Sequence, residues 1–260
     1  MRAAPTRRQM LGVIAGAAAC MGGVRPSAAQ ETRITKLIGE ASALPTVARR
    51  IDFISRALLG TPYRSYTLIG GPREAEQLVT RDDCFDCVTF CETVLAAARV
   101  FRPADYAAAL RQIRYRDGAI DWRERNHYWS DWSEANVANG VCRSVAVPGA
   151  VPLAKTLSYM PELGPREMAL RAVPAGVLLA QAERLATGDI IGFLSQRPRL
   201  DYFHTGFIVV GENGTLMLRH AAKSRGRVLD ERLDRFVAKN GVRRVTLLRP
   251  QEPWVESSIV

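Results

Sequence analysis

Asp82-Asp83-Cys84-Phe85-Asp86-Cys87-Val88-Thr89-Phe90-Cys91-Glu92-Thr93 is the stretch on which the reading of this 260-residue chain turns. Asp86 has the side chain of a helix cap, and Cys87 falls in the first turn that follows it. The spacing predicts a helix from Cys87 to about Phe101, with Cys91, Val94, Leu95, Ala98 and Phe101 on its buried face. Free N–H groups at a helix start carry roughly half a positive charge. A thiol placed there is expected to fall from about 8.5 to roughly 4–7, which makes it a nucleophile at neutral pH. The N–H of Cys87 could also donate to a developing oxyanion.

Outward from that helix, Val47, Ile51, Ile54 and Leu58 recur at helical spacing and Gly60 stops them. Pro103 opens another helix, to about Arg116, on which Arg111, Arg114 and Arg116 read as a solvated face. Residues 118–142 resist assignment, and 143–180 read as an irregular, proline-containing connection. From Asp189 the texture turns to strand: Ile190–Leu194, Thr205–Val210 and Leu216–His220, with Glu212-Asn213-Gly214 as a hairpin turn. A short helix around Asp230–Lys239 precedes a last strand, Val242–Leu248. Helices first and an antiparallel sheet after predict an α+β fold.

A cysteine nucleophile needs a base, and the chain has three histidines. His204 opens the strand pattern of His204-Thr205-Gly206, and His220 ends the next strand. The hairpin turn makes them cross-strand neighbours, so His220 could orient His204 as the third member of a triad. His127 lies in a Trp-rich segment. Zinc held by the three histidines is a competing reading, but no HxH or HExxH spacing supports it. Cys84, Cys87 and Cys91 could suggest a metal site, with Cys142 the one other cysteine outside the N-terminal segment for a fourth ligand. A structural disulfide is a further reading, Cys84 with Cys142 foremost, although spacing does not fix the pairing. Cys91 reads as a packed core thiol. No metal and no cofactor is expected.

The N-terminus reads as an address. Thr6-Arg7-Arg8-Gln9-Met10-Leu11 is a twin-arginine pattern, followed by an apolar stretch to about Gly23 and a small-residue cleavage site at Ser27-Ala28-Ala29. An uncleaved anchor helix and a lipoprotein site at Cys20 are the alternatives. Removing residues 1–29 takes four arginines and no acid, so the net charge falls from +10 to +6. That leaves residues 30–44 as a lead-in, 45–250 as the domain and 251–260 as a tail. A periplasmic or extracellular location follows. With 47% hydrophobic residues, 24% charged and no run of 18 apolar residues, the composition excludes a disordered chain and a polytopic membrane protein. Nucleic acid is not an expected partner, since no nucleic-acid motif is present.

Together these residues resemble the NlpC/p60 cysteine hydrolases, a papain-like superfamily of bacterial cell-wall enzymes. Asp86-Cys87, Gly188-Asp189, His204-Thr205-Gly206 and His220-Ala221 occur in the family's order, and Gly60-Thr61-Pro62-Tyr63 is similar to its segment upstream of the nucleophile. Cys87-Val88-Thr89-Phe90-Cys91-Glu92-Thr93, Arg125-Asn126-His127-Tyr128-Trp129-Ser130-Asp131-Trp132 and Asn136 resemble the N-acetylmuramoyl-L-alanine amidase-like branch, the DUF1460 group. Ala221-Ala222 departs from it, because serine is usual there. The resemblance spans roughly residues 45–250. It implies a papain-like fold and hydrolysis of a peptidoglycan amide bond. Cys87 would attack, His204 would serve as base and His220 would hold His204. Tyr63 and Asp86 would stand beside the oxyanion site. Trp122, Arg125, His127, Tyr128, Trp129, Trp132 and Asn136 are the substrate-binding candidates, with a packed aromatic lid as the alternative for that segment. Cleavage between D-glutamate and the diamino acid of the stem peptide is the alternative reaction, and a non-catalytic wall-binding module the alternative class.

Overall fold

In the computed structural model, which describes residues 32–253, Asp86 caps the central helix α3 (Cys87–Ala98). Asp86 Oδ1 accepts from the N–H groups of Val88 (3.0 Å) and Thr89 (2.8 Å), and the Asp86 N–H donates to Thr89 Oγ1 (2.9 Å). This reciprocal capping box fixes where the helix begins. Every residue from Thr89 to Ala98 is buried. The helix stops three residues short of Phe101, which is 44% exposed and so leaves the expected buried face.

Three helices surround α3: α1 (Arg33–Ala41), α2 (Val47–Ala57) and α4 (Tyr106–Arg114). Residues 33–41 are more than a lead-in, because Ile34, Leu37, Ile38 and Ala41 of α1 enter the core. Among the arginines expected on a solvated face, Arg111 and Arg116 are exposed but Arg114 is buried. Its Nε donates to Glu92 Oε2 of α3 (2.8 Å) and its Nη1 to the Val79 carbonyl (2.7 Å). Arg114 lies four residues after buried Leu110, on the apolar side of α4.

The second half of the chain builds an antiparallel sheet in the order β4-β5-β10-β6-β7-β8-β9. Its strands are β4 (Val151–Leu157), β5 (Arg166–Pro174), β6 (Ile190–Leu194), β7 (Tyr202–Val210), β8 (Leu216–Ala222), β9 (Arg227–Arg232) and β10 (Arg244–Pro250). A short β3 (Cys142–Ser144) joins the outer edge of β10. A separate hairpin, β1 (Ile69–Gly71) with β2 (Glu74–Gln77), occupies the stretch before α3. Helix α3 covers one sheet face, where Phe90 meets Phe207 edge to face. Helix α7 (Leu233–Lys239) covers the other with Leu233 and Phe236.

Three expectations need correction. Residues 143–180 are not an irregular connection: β4 and β5 pair over seven residues each, and α6 (Ala175–Leu179) follows. Along β4 only Leu157 is buried, so the hydrophobic alternation that marks a strand is weak. Residues 230–232 end a strand rather than start a helix, since pairing with β8 overrides the local preference of Asp230-Glu231-Arg232. The helix that follows begins at Leu233. Last, Cys84 and Cys142 form no disulfide, and all four described cysteines are free. Cys84 precedes the start of α3, whereas Val141, beside Cys142, accepts from Arg99 at its end. Twelve helical residues separate those ends by about 18 Å, far beyond the ~7 Å Cα separation a disulfide tolerates.

Candidate active site

Cys87 is half-buried at the N-terminus of α3. Burial, and then the Asp86 carboxylate, push its thiol up to about 12. Backbone N–H groups of Thr205, Cys87 and Val88 pull the other way without winning. The helix-start effect therefore acts as expected in sign, but desolvation outweighs it. Cys87 rests as a neutral thiol, not the thiolate anticipated above. Asp86 spends its carboxylate on the helix cap. Tyr63 lies alongside: Phe85, two residues before Cys87, exchanges backbone hydrogen bonds with Pro62 and Arg64 around it. Burial holds the Tyr63 phenol above its ordinary value; Ser65 lowers it and the nearby Cys87 and Asp86 raise it.

His204 and His220 are brought together as expected. Phe207 pairs with Arg219 across β7 and β8, so His220 falls opposite Gly206 and diagonal to His204. His204 Nε2 and His220 Nδ1 are 2.5 Å apart. Beyond them, His220 Nε2 lies 2.9 Å from Glu231 Oε1 on β9. Glu231 was not found from the sequence, because the strand that carries it was read as helix. The carboxylate can only accept. His220 therefore carries its hydrogen on Nε2, and its bare Nδ1 accepts from His204 Nε2–H. The Nδ1 of His204 is left as a free lone pair. Burial, and then His220, lower His204 to about 3, while burial also lowers His220 against the opposing pull of Glu231. Both rings are neutral at neutral pH.

The thiol stands on α3 and the imidazoles on β7 and β8, and they do not touch. Helix α3 packs on β7, with Cys91 Sγ 3.9 Å from Thr205 Oγ1. Thr205 and Phe207 face α3, as Cys91 and Phe90 show. His204 stands opposite Phe193, with its ring 5.3 Å from that of Phe236 in α7. Among the described residues no hydrogen bond joins Cys87 to either histidine.

The aromatic segment is mostly core. It includes α5 (Trp129–Ala138), in which Trp129 and Trp132 stack at 4.3 Å and both are buried. Asn136 is fully buried and donates to the Ile113 and Trp132 carbonyls. Tyr128, also buried, accepts from the Met160 N–H. Arg125 pairs with Glu76, which is almost wholly enclosed. Trp122 is buried against His127, whose Nε2 donates to the Trp122 carbonyl. These seven residues hold the segment together instead of presenting a sugar-stacking surface. Aromatic and arginine content alone could not separate the two outcomes. Burial lowers His127 to about 4. Among the described residues no three His, Cys, Asp or Glu side chains are placed to hold a metal.

A pH dependence of stability follows from these histidines. Above pH 6.5 they are neutral whether folded or unfolded. As pH falls below 6.5 the unfolded chain takes up protons that the folded chain, with pKa values near 3 and 4, refuses. Stability is therefore lost on acidification. Asp131, raised to about 6 by burial, opposes this and offsets part of it. A net loss of about 2 kcal/mol is expected between pH 7 and 5.5. Urea midpoints at the two pH values check it, and equal midpoints would refute it.

A model of the N-acetylmuramoyl-L-alanine amidase-like family matches residues 53–242, which include Cys87, His204, His220 and Glu231. The chain belongs to this family. Among solved structures, an N-acetylmuramoyl-L-alanine amidase from Bacteroides uniformis is 26% identical, with TM-score 0.67 over 76% of this chain and 97% of its own. A putative xylanase from Bacteroides fragilis is 27% identical, with TM-score 0.66 over 75% and 98%. A Legionella pneumophila protein of the DUF1460 family is 22% identical, with TM-score 0.75 over 85% and 94%, a likeness of fold. No curated protein matches. The family members share the mixed helix-and-sheet architecture described here. No helix of the described residues is long and apolar enough to cross a membrane.

Proposed function

We propose that this chain is an exported cell-wall hydrolase that cleaves the amide between the lactyl group of N-acetylmuramic acid and L-alanine, with Cys87 as nucleophile. The observation that carries the reading is the placing of Cys87 on a capped helix start, in a helix packed on β7, the strand that carries His204. Family membership supplies the substrate class. The twin-arginine segment, which lies outside the described residues, supports export.

The resting groups constrain the chemistry. With the thiol near 12 and His204 near 3, proton transfer between them is uphill before any bond forms. Deprotonation is therefore coupled to attack: His204, which rests on the α7 side of β7, would turn toward α3 with substrate in place, and its Nδ1 would take the proton as Sγ adds to the lactyl carbonyl. Catalytic hydrogen bonds absent from a free enzyme commonly form only with substrate in place. The Cys87 N–H and the Tyr63 hydroxyl would receive the oxyanion, at ~3–4 kcal/mol per donor. Collapse returns the proton to the departing L-alanine amine and leaves a thioester. Water then attacks the thioester, releasing the lactyl carboxylate and regenerating the thiol. Glu231 is a positioning residue that keeps the His204 Nδ1 lone pair available.

Digestion of purified peptidoglycan by the protein, read by mass spectrometry, tests the proposal. Intact stem peptides with a new L-alanine N-terminus are expected. Truncated peptides would move the cut into the stem, and no product from several wall types would favour a binding module. Glu231→Gln addresses the tautomer chain. Its amide can donate to His220 Nε2, reverse both imidazoles and place a hydrogen on His204 Nδ1. A fall in kcat of about 10- to 100-fold, with KM unchanged and folding retained, is expected. A variant within twofold of the parent would remove Glu231 from the mechanism.

A further inference from the structure

The turn from β8 into β9 reads Lys223-Ser224-Arg225-Gly226-Arg227, three cations in five residues and no acid. Gly226 takes the left-handed φ of 67° that closes it. All five residues are exposed. Among the described residues no carboxylate pairs with these three cations. The acids on the adjoining elements are spent: Asp230 pairs with Arg219, Glu231 with His220, and Asp86 caps α3.

Backbone hydrogen bonds fix this turn at the candidate active site. The Tyr63 N–H donates to the Gly226 carbonyl, and the Val228 N–H to the Thr61 carbonyl, both at 2.8 Å. On its other side the same segment pairs with Phe85, two residues before Cys87. Neighbouring strands lie ~4.8 Å apart, so the turn stands about two spacings, ~10 Å, from the segment that leads into α3. Arg64, beside Tyr63 in sequence and exposed, adds a fourth cation to this rim. Asp83, two residues before Phe85, is already held by Arg81 through two contacts of 2.7 Å. Tyr66 follows on the same loop, 98% exposed on a left-handed backbone (φ 58°), which costs a bulky residue ~1–2 kcal/mol. Strained, exposed residues of this kind concentrate on loops that contact ligands.

Unpaired guanidiniums on the rim of an amide-cleaving site call for an anion on the substrate, and their planar fork matches a carboxylate. An extended peptide spans ~3.5 Å per residue, so an acidic residue one or two places past the scissile amide lies part-way across the gap to the turn. In the stem peptide that residue is the D-glutamate after L-alanine. We infer that the Lys223–Arg227 turn is a carboxylate subsite that selects this acidic residue, with Arg225 and Arg227 as the groups that hold it. The inference rests on the cleavage proposed above.

The test is a calorimetric titration of the full-chain Cys87→Ala variant with N-acetylmuramoyl-L-alanyl-D-glutamate and with its uncharged diamide. The acid is expected to bind about 5-fold or more tighter than the diamide, and the difference to shrink in ~0.5 M salt. Arg225→Gln combined with Arg227→Gln, at exposed positions, is expected to bring the acid down to the diamide and to leave the diamide unchanged. Equal binding of the two probes, a preference that survives the double substitution, or no saturable binding would overturn the inference. Inorganic phosphate binding as tightly as the acid would overturn it too, assigning the turn to phosphate instead. Turnover by the chain with Cys87 intact separates this subsite from the amidase reading. If neither probe is cut while the charge preference holds, the subsite stands and the reaction is lost. If both are cut with equal kcat/KM, the reaction stands and the subsite is lost.

Discussion

On the proposed mechanism, Cys87→Ala is expected to lose amide hydrolysis of muropeptides by at least ~10³-fold, because nucleophile and base would act as one unit and little remains when either is missing. The folded state barely changes. Cys87 is half-buried, caps nothing through its side chain, and is replaced by a good helix former at a helix start. A urea midpoint close to the parent's, together with lost turnover, is the expected pair of results. A second readout separates this cysteine from the others. Cys84, Cys91 and Cys142 are buried, so among the described cysteines brief alkylation of the native protein should add one group, at Cys87, and slowly, since burial keeps the thiol protonated. Retention of activity by the alanine variant would end the cysteine mechanism and leave the family's fold to be explained by another chemistry.

Arg114→Met is the substitution expected to cost most stability, about 3–5 kcal/mol. Arg114 and Glu92 are each no more than 3% exposed, and their 2.8 Å contact joins α4 to α3. Removing the guanidinium leaves Glu92 buried without its cation and strands the Val79 carbonyl as well. Burial already holds the Glu92 carboxyl above its ordinary value, against the pull of Arg114. The variant should therefore tolerate neutral pH poorly, where the orphaned carboxyl must ionise or stay protonated at a cost. Pairing it with Glu92→Met should recover much of the loss, because two apolar groups of similar volume replace two charges. A single variant within ~1 kcal/mol of the parent by urea unfolding would contradict this account.

What the sequence made legible is what local chemistry decides. Asp86 and Thr89 cap each other three residues apart, so the start of α3 could be read to the residue. The turn at Glu212-Asn213-Gly214 sets the β7–β8 register, so the His204–His220 pairing could be read from two strands and a loop. What long-range packing decides stayed hidden. Glu231 reaches His220 only because β9 pairs with β8, and its segment carries no strand signature of its own. The thiol's protonation depended on how deeply its neighbours bury it, which no spacing reports. Of the seven candidates around the tryptophans, five had the composition of a binding surface and the environment of a core. Arg114 alone left a usable sign, in its four-residue step from Leu110.

The place of β10 constrains how the molecule is made. It is the last strand in sequence, yet it lies inside the sheet between β6 and the β5 and β3 edges. A nascent chain emerging from the ribosome therefore holds two half-sheets, each with an open hydrogen-bonding edge, until Arg244–Pro250 arrive to join them. Folding of the sheet must wait until Arg244–Pro250 have been made, and a chain stalled before residue 244 exposes the adhesive edges that β10 normally seals.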